Sequence, residues 1–260
     1  MDKRQHKELT KEEFTRQAEQ IVSAPSFNDE DTLKGIIEAV GATYQDTVLD
    51  VACGTGVVTF CLAKTAKEVI GLDITGEMLQ RARKKRHAKG ITNVHFELGD
   101  VEKLPFENEK FDITVCRMSI HHFSDPQNAV YEMARVTRPG GKVVFADIIT
   151  SADSTEARLH NAIERLRDPS HVRMLTHEEL LQLAVDNDLH IKKTDRWAKQ
   201  RYFAEWAEIL NAPERIEPLK VVLQALAREK IQAGIQLNLD QEGQPTFEHR
   251  WSLILAEKLR

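Results

Sequence analysis

Cysteine is scarce in this 260-residue chain. The three present, Cys53, Cys61 and Cys116, form no CxxC pair. An odd count without metal-type spacing excludes a disulfide framework and a cysteine zinc site, and no metal centre is expected. Each cysteine sits in or beside an apolar run and reads as a small buried residue in a reducing compartment. No apolar stretch approaches the ~18 residues that span a bilayer. The charged start, Met1–Leu9, lacks the apolar core of a signal peptide, so a cytoplasmic location is expected. Basic charge is not in excess: 36 Lys and Arg stand against 41 Asp and Glu, a formal net charge of −5. That balance argues against a general nucleic-acid binder. The basic run Arg81–Lys89 falls on an expected helix and reads as a solvated face. With 41% hydrophobic and 30% charged residues, the chain suits one large globular domain or two small ones.

What is present is alternation. Thr10-Lys-Glu-Glu13 reads as a capping box, followed by Phe14, Ala18, Ile21 and Val22 at helical spacing, with Pro25 as the stop. A second helix is expected from about Asp31 to Gly41. Strands are then expected at Thr47–Ala52, Val69–Leu72, Val94–Leu98, Phe111–Cys116 and Lys142–Ile149. Helices fall between several of them: Val57–Ala66, Glu77–Lys89 behind a Thr75 cap, and about Pro126 to Val136. Arg138-Pro-Gly-Gly141 reads as a turn. Such a pattern predicts a doubly wound, mostly parallel sheet with ligands bound beyond its strand C-termini. Further on, helices are expected at Thr155–Arg167 and from a Thr176 capping box to about Asn187. Leu189–Thr194 reads as a strand, residues from Tyr202 to Gly234 as helical, and Phe247–Glu257 as a last strand.

The segment Val48-Leu-Asp-Val-Ala-Cys-Gly-Thr-Gly56 runs from strand into glycine turn, where bare backbone lets a nucleotide-like ligand approach. A dinucleotide fingerprint needs a third glycine, and Thr59 stands in its place. Asp50 before the turn is a poor neighbour for pyrophosphate but suits an ammonium group. S-adenosylmethionine (SAM) carries an ammonium and a sulfonium and no phosphate. Asp73, at the end of the second strand, can accept both ribose hydroxyls. Asp100, after the third, can take the adenine amino group, with Ile74 and Val101 against the ring. Each acid alone is also a common turn residue; three at the ends of three successive strands make a pattern.

Together with Gly71-Leu-Asp73, Gly99-Asp-Val-Glu-Lys-Leu-Pro-Phe106, Phe111-Asp-Ile-Thr-Val115 and Ala134-Arg-Val-Thr-Arg-Pro-Gly-Gly141, that segment resembles the class I SAM-dependent methyltransferases. The ubiquinone/menaquinone-biosynthesis group is the nearest in flavour. The resemblance covers about residues 45–150. It implies a Rossmann-like seven-stranded sheet with an antiparallel last strand, Leu189–Thr194 and Phe247–Glu257 supplying strands six and seven. It also implies that Asp50, Gly54 and Gly56 hold the methionine part, Asp73 the ribose, and Asp100 with Val101 the adenine. Ala52, Cys53, Ile74, Met78 and Arg117 are assigned to the same cofactor site.

The expected organisation is a helical cap over residues 1–44, a methyltransferase domain over 45–260, and a helical insert at about 200–245. Phe14 and Gln17 are placed over the cofactor. Tyr202, Phe203 and Trp206 either line the acceptor pocket or anchor the cap, with anchoring favoured. Catalytic candidates are His122 first and His121 second, after the fourth strand. His171 belongs to the cluster Arg165–Arg173, which reads either as an anion site or as a solvated helix end; His160 and Asn161 share that reading. The expected reaction is C- or O-methylation of a small molecule of quinone, aromatic or natural-product type. A homodimer is compatible with the sequence, and no nucleic-acid partner is expected. The rival readings are an RNA or protein methyltransferase, or a SAM-binding module without methyl transfer. The chain lacks the Asn/Asp-Pro-Pro-Tyr signature used on exocyclic base amines.

Overall fold

A computed structural model describes residues 2–259. Helix α1 (Lys3–Ser23) starts earlier than its sequence signal: Asp2 and Gln5 form the capping box. Thr10 lies inside the helix, its hydroxyl donating to the His6 carbonyl. Glu13 is buried and receives two bonds from Arg215. Helix α2 (Glu30–Val40) ends at Gly41 in the left-handed region. Strands β1 (Thr47–Val51), β2 (Glu68–Asp73) and β3 (Val94–Leu98) alternate with helices α3 (Val57–Leu62) and α4 (Gly76–Ala88). Helix α3 is shorter than expected, because its end tightens into Lys64 N–H to Cys61 and Thr65 N–H to Leu62 bonds. Thr75 precedes α4 without a side-chain capping bond.

Strand β4 (Phe111–Arg117), a 3₁₀ turn (Ile120–His122), helix α5 (Pro126–Val136) and strand β5 (Thr137–Ile149) follow. The expected Arg138–Gly141 turn is an irregularity within β5, where the pairing with β4 jumps between Phe111 and Ile113. Helices α6 (Ser154–Arg167) and α7 (His177–Val185) lead to β6 (Leu189–Tyr202). Helices α8 (Phe203–Glu208) and α9 (Pro213–Arg228) then precede β7 (Asn238–Leu239) and β8 (Pro245–Lys258).

The strands order as β3-β2-β1-β4-β5-β8-β6, with the two-residue β7 also pairing to β8, and only β8 runs antiparallel to its neighbours. Seven strands form the expected sheet, and β7 is an eighth. Strand β6 runs eight residues beyond its expected end. Its outer half, Asp195-Arg-Trp-Ala-Lys-Gln-Arg201, is polar and largely exposed, so the apolar periodicity fades while the pairing to β8 continues. Both sheet edges are guarded. β6 is charged along its length, and at β3 the carbonyls of Phe96 and Val94 accept from Arg83 and Arg86. The basic run on α4 is therefore partly an edge cover rather than only a solvated face.

Apolar side chains cover both faces of the sheet. One core gathers Leu49, Phe111, Met133, Phe145 and Leu180; the other gathers Ile36, Val48, Leu79, Val115 and Leu253. Helix α2 belongs to the second core, so of residues 1–44 it is α1 and the turn at Phe27 that lie over the strand ends. Phe203, Trp206, Leu219, Leu223 and Phe247 make a separate core within the cap. At ~1.5–3 kcal/mol per large buried side chain, that core holds the cap as a unit far better than surface ion pairs of about 0–1 kcal/mol. Phe203 anchors the cap, Trp206 both anchors it and faces a cavity, and Tyr202 is exposed.

Candidate active site

Strand order reverses between β1 and β4, and a cleft of about 1040 Å³, its open mouth included, lies beyond the strand ends there. β1 contributes Asp50 and Ala52, β2 contributes Asp73, the β3 loop contributes Asp100 and Val101, and β4 contributes Arg117. Phe14, Cys53, Gly54, Ile74, Met78 and His122 also line it. Two non-glycine residues on its wall, Ala52 and Met118, hold φ of +55° and +54°. Such left-handed backbone at two strand ends is the strain expected of a ligand site. Gly56 does not line the cleft. Its φ is +81°, and a Cβ there would stand 2.9 Å from the Phe60 ring, so its work is to shape the turn.

Opposite charges meet at the bottom. Asp50 is buried and accepts from Thr59 Oγ1 at 2.5 Å. Burial pushes its carboxyl up to about 7, against the hydrogen bonds from Thr59 and the nearby Arg117. Arg117 is buried as well. One of its nitrogens donates to the Phe27 carbonyl at 3.0 Å, while Nε and the other terminal nitrogen have no hydrogen-bond partner among the described residues. Burial lowers its pKa to about 10. Asp73 is fixed by Gly54 N–H on one oxygen and Thr75 N–H on the other, each at 2.8 Å. Burial raises its pKa, against those bonds. Asp100 accepts from Lys7 of α1 at 2.6 Å, and Lys7 also meets Glu102 at 2.7 Å. Desolvation, with Asp50 and Asp73 nearby, pushes the half-buried Cys53 thiol well up, and burial does the same to Cys116.

A second cavity, about 550 Å³, adjoins the first and shares Phe14, Phe27, Met118 and His122 with it. Gln17 lines this cavity rather than the first, and donates to Asp168 at 3.1 Å. His121 lines it too. Its Nδ1 meets Asp147 Oδ1 at 2.6 Å, and its backbone N–H donates to Oδ2. Burial lowers the His121 pKa, but the Asp147 carboxylate outweighs it and the net direction is up. His122 differs. Its Nδ1 donates to the Ser170 carbonyl at 3.0 Å, and burial with the neighbouring His121 lowers its pKa to about 4. His171 lies outside both cavities. Its Nε2 bonds to Asn161 Oδ1 at 2.8 Å, and burial drives its pKa to about 2; the structure does not bring it to the cavities with His121 and His122.

The Arg165–Arg173 cluster divides. Arg173 is an exposed partner of Glu179, whereas Arg167 stacks over Trp206 and, with Asp168, lines the second cavity. His6, Lys7 and Thr10 of α1 line the first cavity and gave no sequence signal of that place, being polar residues on a helix. Asp147 did carry one: an acid inside the buried run Val143-Val-Phe-Ala-Asp-Ile-Ile149.

A doubly wound sheet with an antiparallel β8 and an acid-lined cleft at its switch point fits the class of SAM-dependent methyltransferases. Residues 43–208 match the model of a methyltransferase domain family, and the chain belongs to that family. The uncharacterized methyltransferase YcgJ of Bacillus subtilis is 31% identical over 232 residues, 89% of this chain and 92% of that protein. The YcgJ crystal structure superposes with a TM-score of 0.82 over 88% of this chain and 99% of its own. A methyltransferase structure from Bacillus halodurans, 26% identical, also gives 0.82, over 88% of this chain and all of the other. The ubiquinone/menaquinone biosynthesis C-methyltransferase UbiE of Bdellovibrio bacteriovorus is 40% identical over 116 residues, 44% of this chain and 49% of that one. No helix among the described residues is long and apolar enough to cross a membrane.

Proposed function

We propose that this methyltransferase modifies a small-molecule acceptor at oxygen or carbon, with SAM in the first cavity and the acceptor in the second. SAM, when bound, supplies a methyl group from its sulfonium. Asp50 and Arg117 would receive the ammonium and carboxylate of its methionine end; the unpartnered Arg117 nitrogens suit the carboxylate, and the buried Asp50 carboxyl, once ionised, suits the ammonium. Asp73 would accept the ribose hydroxyls and Asp100 the adenine amino group, with Val101 beside the ring.

The observation that carries the reading is the meeting of two cavities beside a His–Asp pair. A phenol or an activated carbon acid must lose a proton as it attacks the methyl carbon. His121 suits that task better than His122. Asp147 holds its Nδ1 and supports a positive ring, leaving Nε2 to take the acceptor's proton and pass it to solvent. His122, with a pKa of about 4, stays neutral and shapes the passage between the cavities. Partial identity to a quinone C-methyltransferase favours an aromatic acceptor of that kind.

The test is a screen of phenolic and enolic acceptors for S-adenosylhomocysteine release, followed by His121→Asn. Loss of a general base predicts a fall in kcat of about 10²–10⁴, with SAM affinity unchanged. Unchanged kcat in His121→Asn would remove His121 from proton transfer. Methylation of RNA or protein in preference to every small acceptor would overturn the substrate class.

A further inference from the structure

Three side chains converge at the second cavity at separations longer than a charge-assisted hydrogen bond; Glu164 and His249 are on its wall and His160 is next to them. His160 and Glu164 stand one turn apart on α6, and His249 reaches them from β8. One ligand atom from each lies within 4.8 Å of the others. His249 Nε2 is 3.3 Å and His160 Nε2 is 3.8 Å from the same Glu164 oxygen, Oε1. All three residues are buried, and both Nε2 atoms lack a hydrogen-bond partner among the described residues.

That arrangement is costly as it stands. A charge-assisted N–H would close on the carboxylate to about 2.7–2.9 Å, and two buried nitrogens left unpaired cost free energy. A cation between them removes the cost. Ligand atoms at about 2.0–2.2 Å from a metal stand roughly 3.0–3.6 Å from each other; the His249–Glu164 separation of 3.3 Å falls in that range, and His160 at 3.8 Å would move in by a few tenths of an ångström. His160 is oriented by Thr150, whose Oγ1 lies 3.3 Å from Nδ1, leaving Nε2 for the centre. Arg167 lies 3.7 Å from the other Glu164 oxygen, Oε2, so it does not occupy Oε1. Arg201, also on the cavity wall, opposes a cation there, and Asp168 on the same wall offsets it.

We propose that His160, Glu164 and His249 form a divalent transition-metal site whose open positions face the second cavity. Two imidazoles and one carboxylate are the donor set of sites that keep positions free for an oxygen ligand. An acceptor oxygen entering the second cavity would complete the coordination. Metal binding itself rests on no assumption about the acceptor. The sequence concealed the site because it lacks cysteine, and His249 lies 85 positions from Glu164 in the chain.

The experiment is titration of chelator-stripped protein with Co²⁺ alone, without SAM or acceptor, read by visible absorption. One equivalent should develop d–d bands. His160→Gln and His249→Gln should each weaken binding by more than about 100-fold, since even outer-shell partners are worth ~10–100-fold. SAM affinity reports that each variant is folded, and wild-type protein should melt higher with Zn²⁺. No saturable Co²⁺ spectrum with folded wild type, or equal affinity in the folded variants, would overturn the site. Either failure would leave the methyl-transfer reading intact.

Discussion

Asp50 concentrates the chemistry of the cleft at a single residue. Its carboxyl is buried beside Arg117 and raised to about 7, so in the ligand-free protein it is largely protonated below pH 7. An ammonium group arriving next to it would favour the ionised form and release that proton. SAM binding measured by calorimetry below pH 7 should therefore depend on the ionisation enthalpy of the buffer, and affinity should rise from pH 5 to 7. Asp50→Asn should abolish that dependence. The same substitution bears on stability. A group with a raised folded pKa stabilises below its unfolded value and loses that contribution as pH rises through the folded one. Ligand-free Asp50→Asn should therefore gain stability over wild type as pH rises from about 4 to 7, read by melting temperature. His171 has the opposite sign. Its folded pKa of about 2 lies below the unfolded ~6.5, so the unfolded chain binds more protons as pH falls between them. His171→Gln, which keeps an amide donor for Asn161, should gain on wild type by on the order of 2 kcal/mol between pH 6.5 and 4.5. A constant difference across that range would contradict the assignment.

At the scale of elements, α1 is the part that sequence placed least well and the part that closes the site. Lys3 bonds to Asp125, Lys7 to Asp100 and Glu102, His6 to the His122 carbonyl, and Glu13 to Arg215 of α9. The helix thus ties the strand ends to the cap. Lys7→Ala should raise the SAM dissociation rate about fivefold, in line with ~1 kcal/mol for a half-exposed ion-pair network, and salt should do the same to wild type. Stopped-flow release of SAM measures both; identical rates would mean that α1 does not retain the ligand. Legibility followed burial. Strands β1, β4 and β5 and the three acids stood out because apolar runs end at them. Lys7 and Thr10 did not, because a helix that covers a cleft carries polar residues towards it, and these look like any solvated face. The order of His121 and His122 was likewise hidden, since it depends on Asp147, 26 residues away, and on Ser170, 48 away.

The whole molecule joins a sheet with two apolar faces to a cap with its own core, and the two cavities lie where they meet. The doubly wound order was readable because strand and helix alternate at the pace that right-handed crossovers require. The outer half of β6 was not, because edge strands are charged for solubility rather than patterned for burial. The central claim is that the cleft between β1 and β4 is the SAM site and that Asp73 anchors it. Isothermal calorimetry of SAM with wild type and Asp73→Ala tests this most directly. One site per chain is expected in wild type, weakened in the variant by about 10–100-fold, the equivalent of a charged hydrogen bond at ~1.5–3 kcal/mol. Equal affinity in a folded Asp73→Ala would contradict the account.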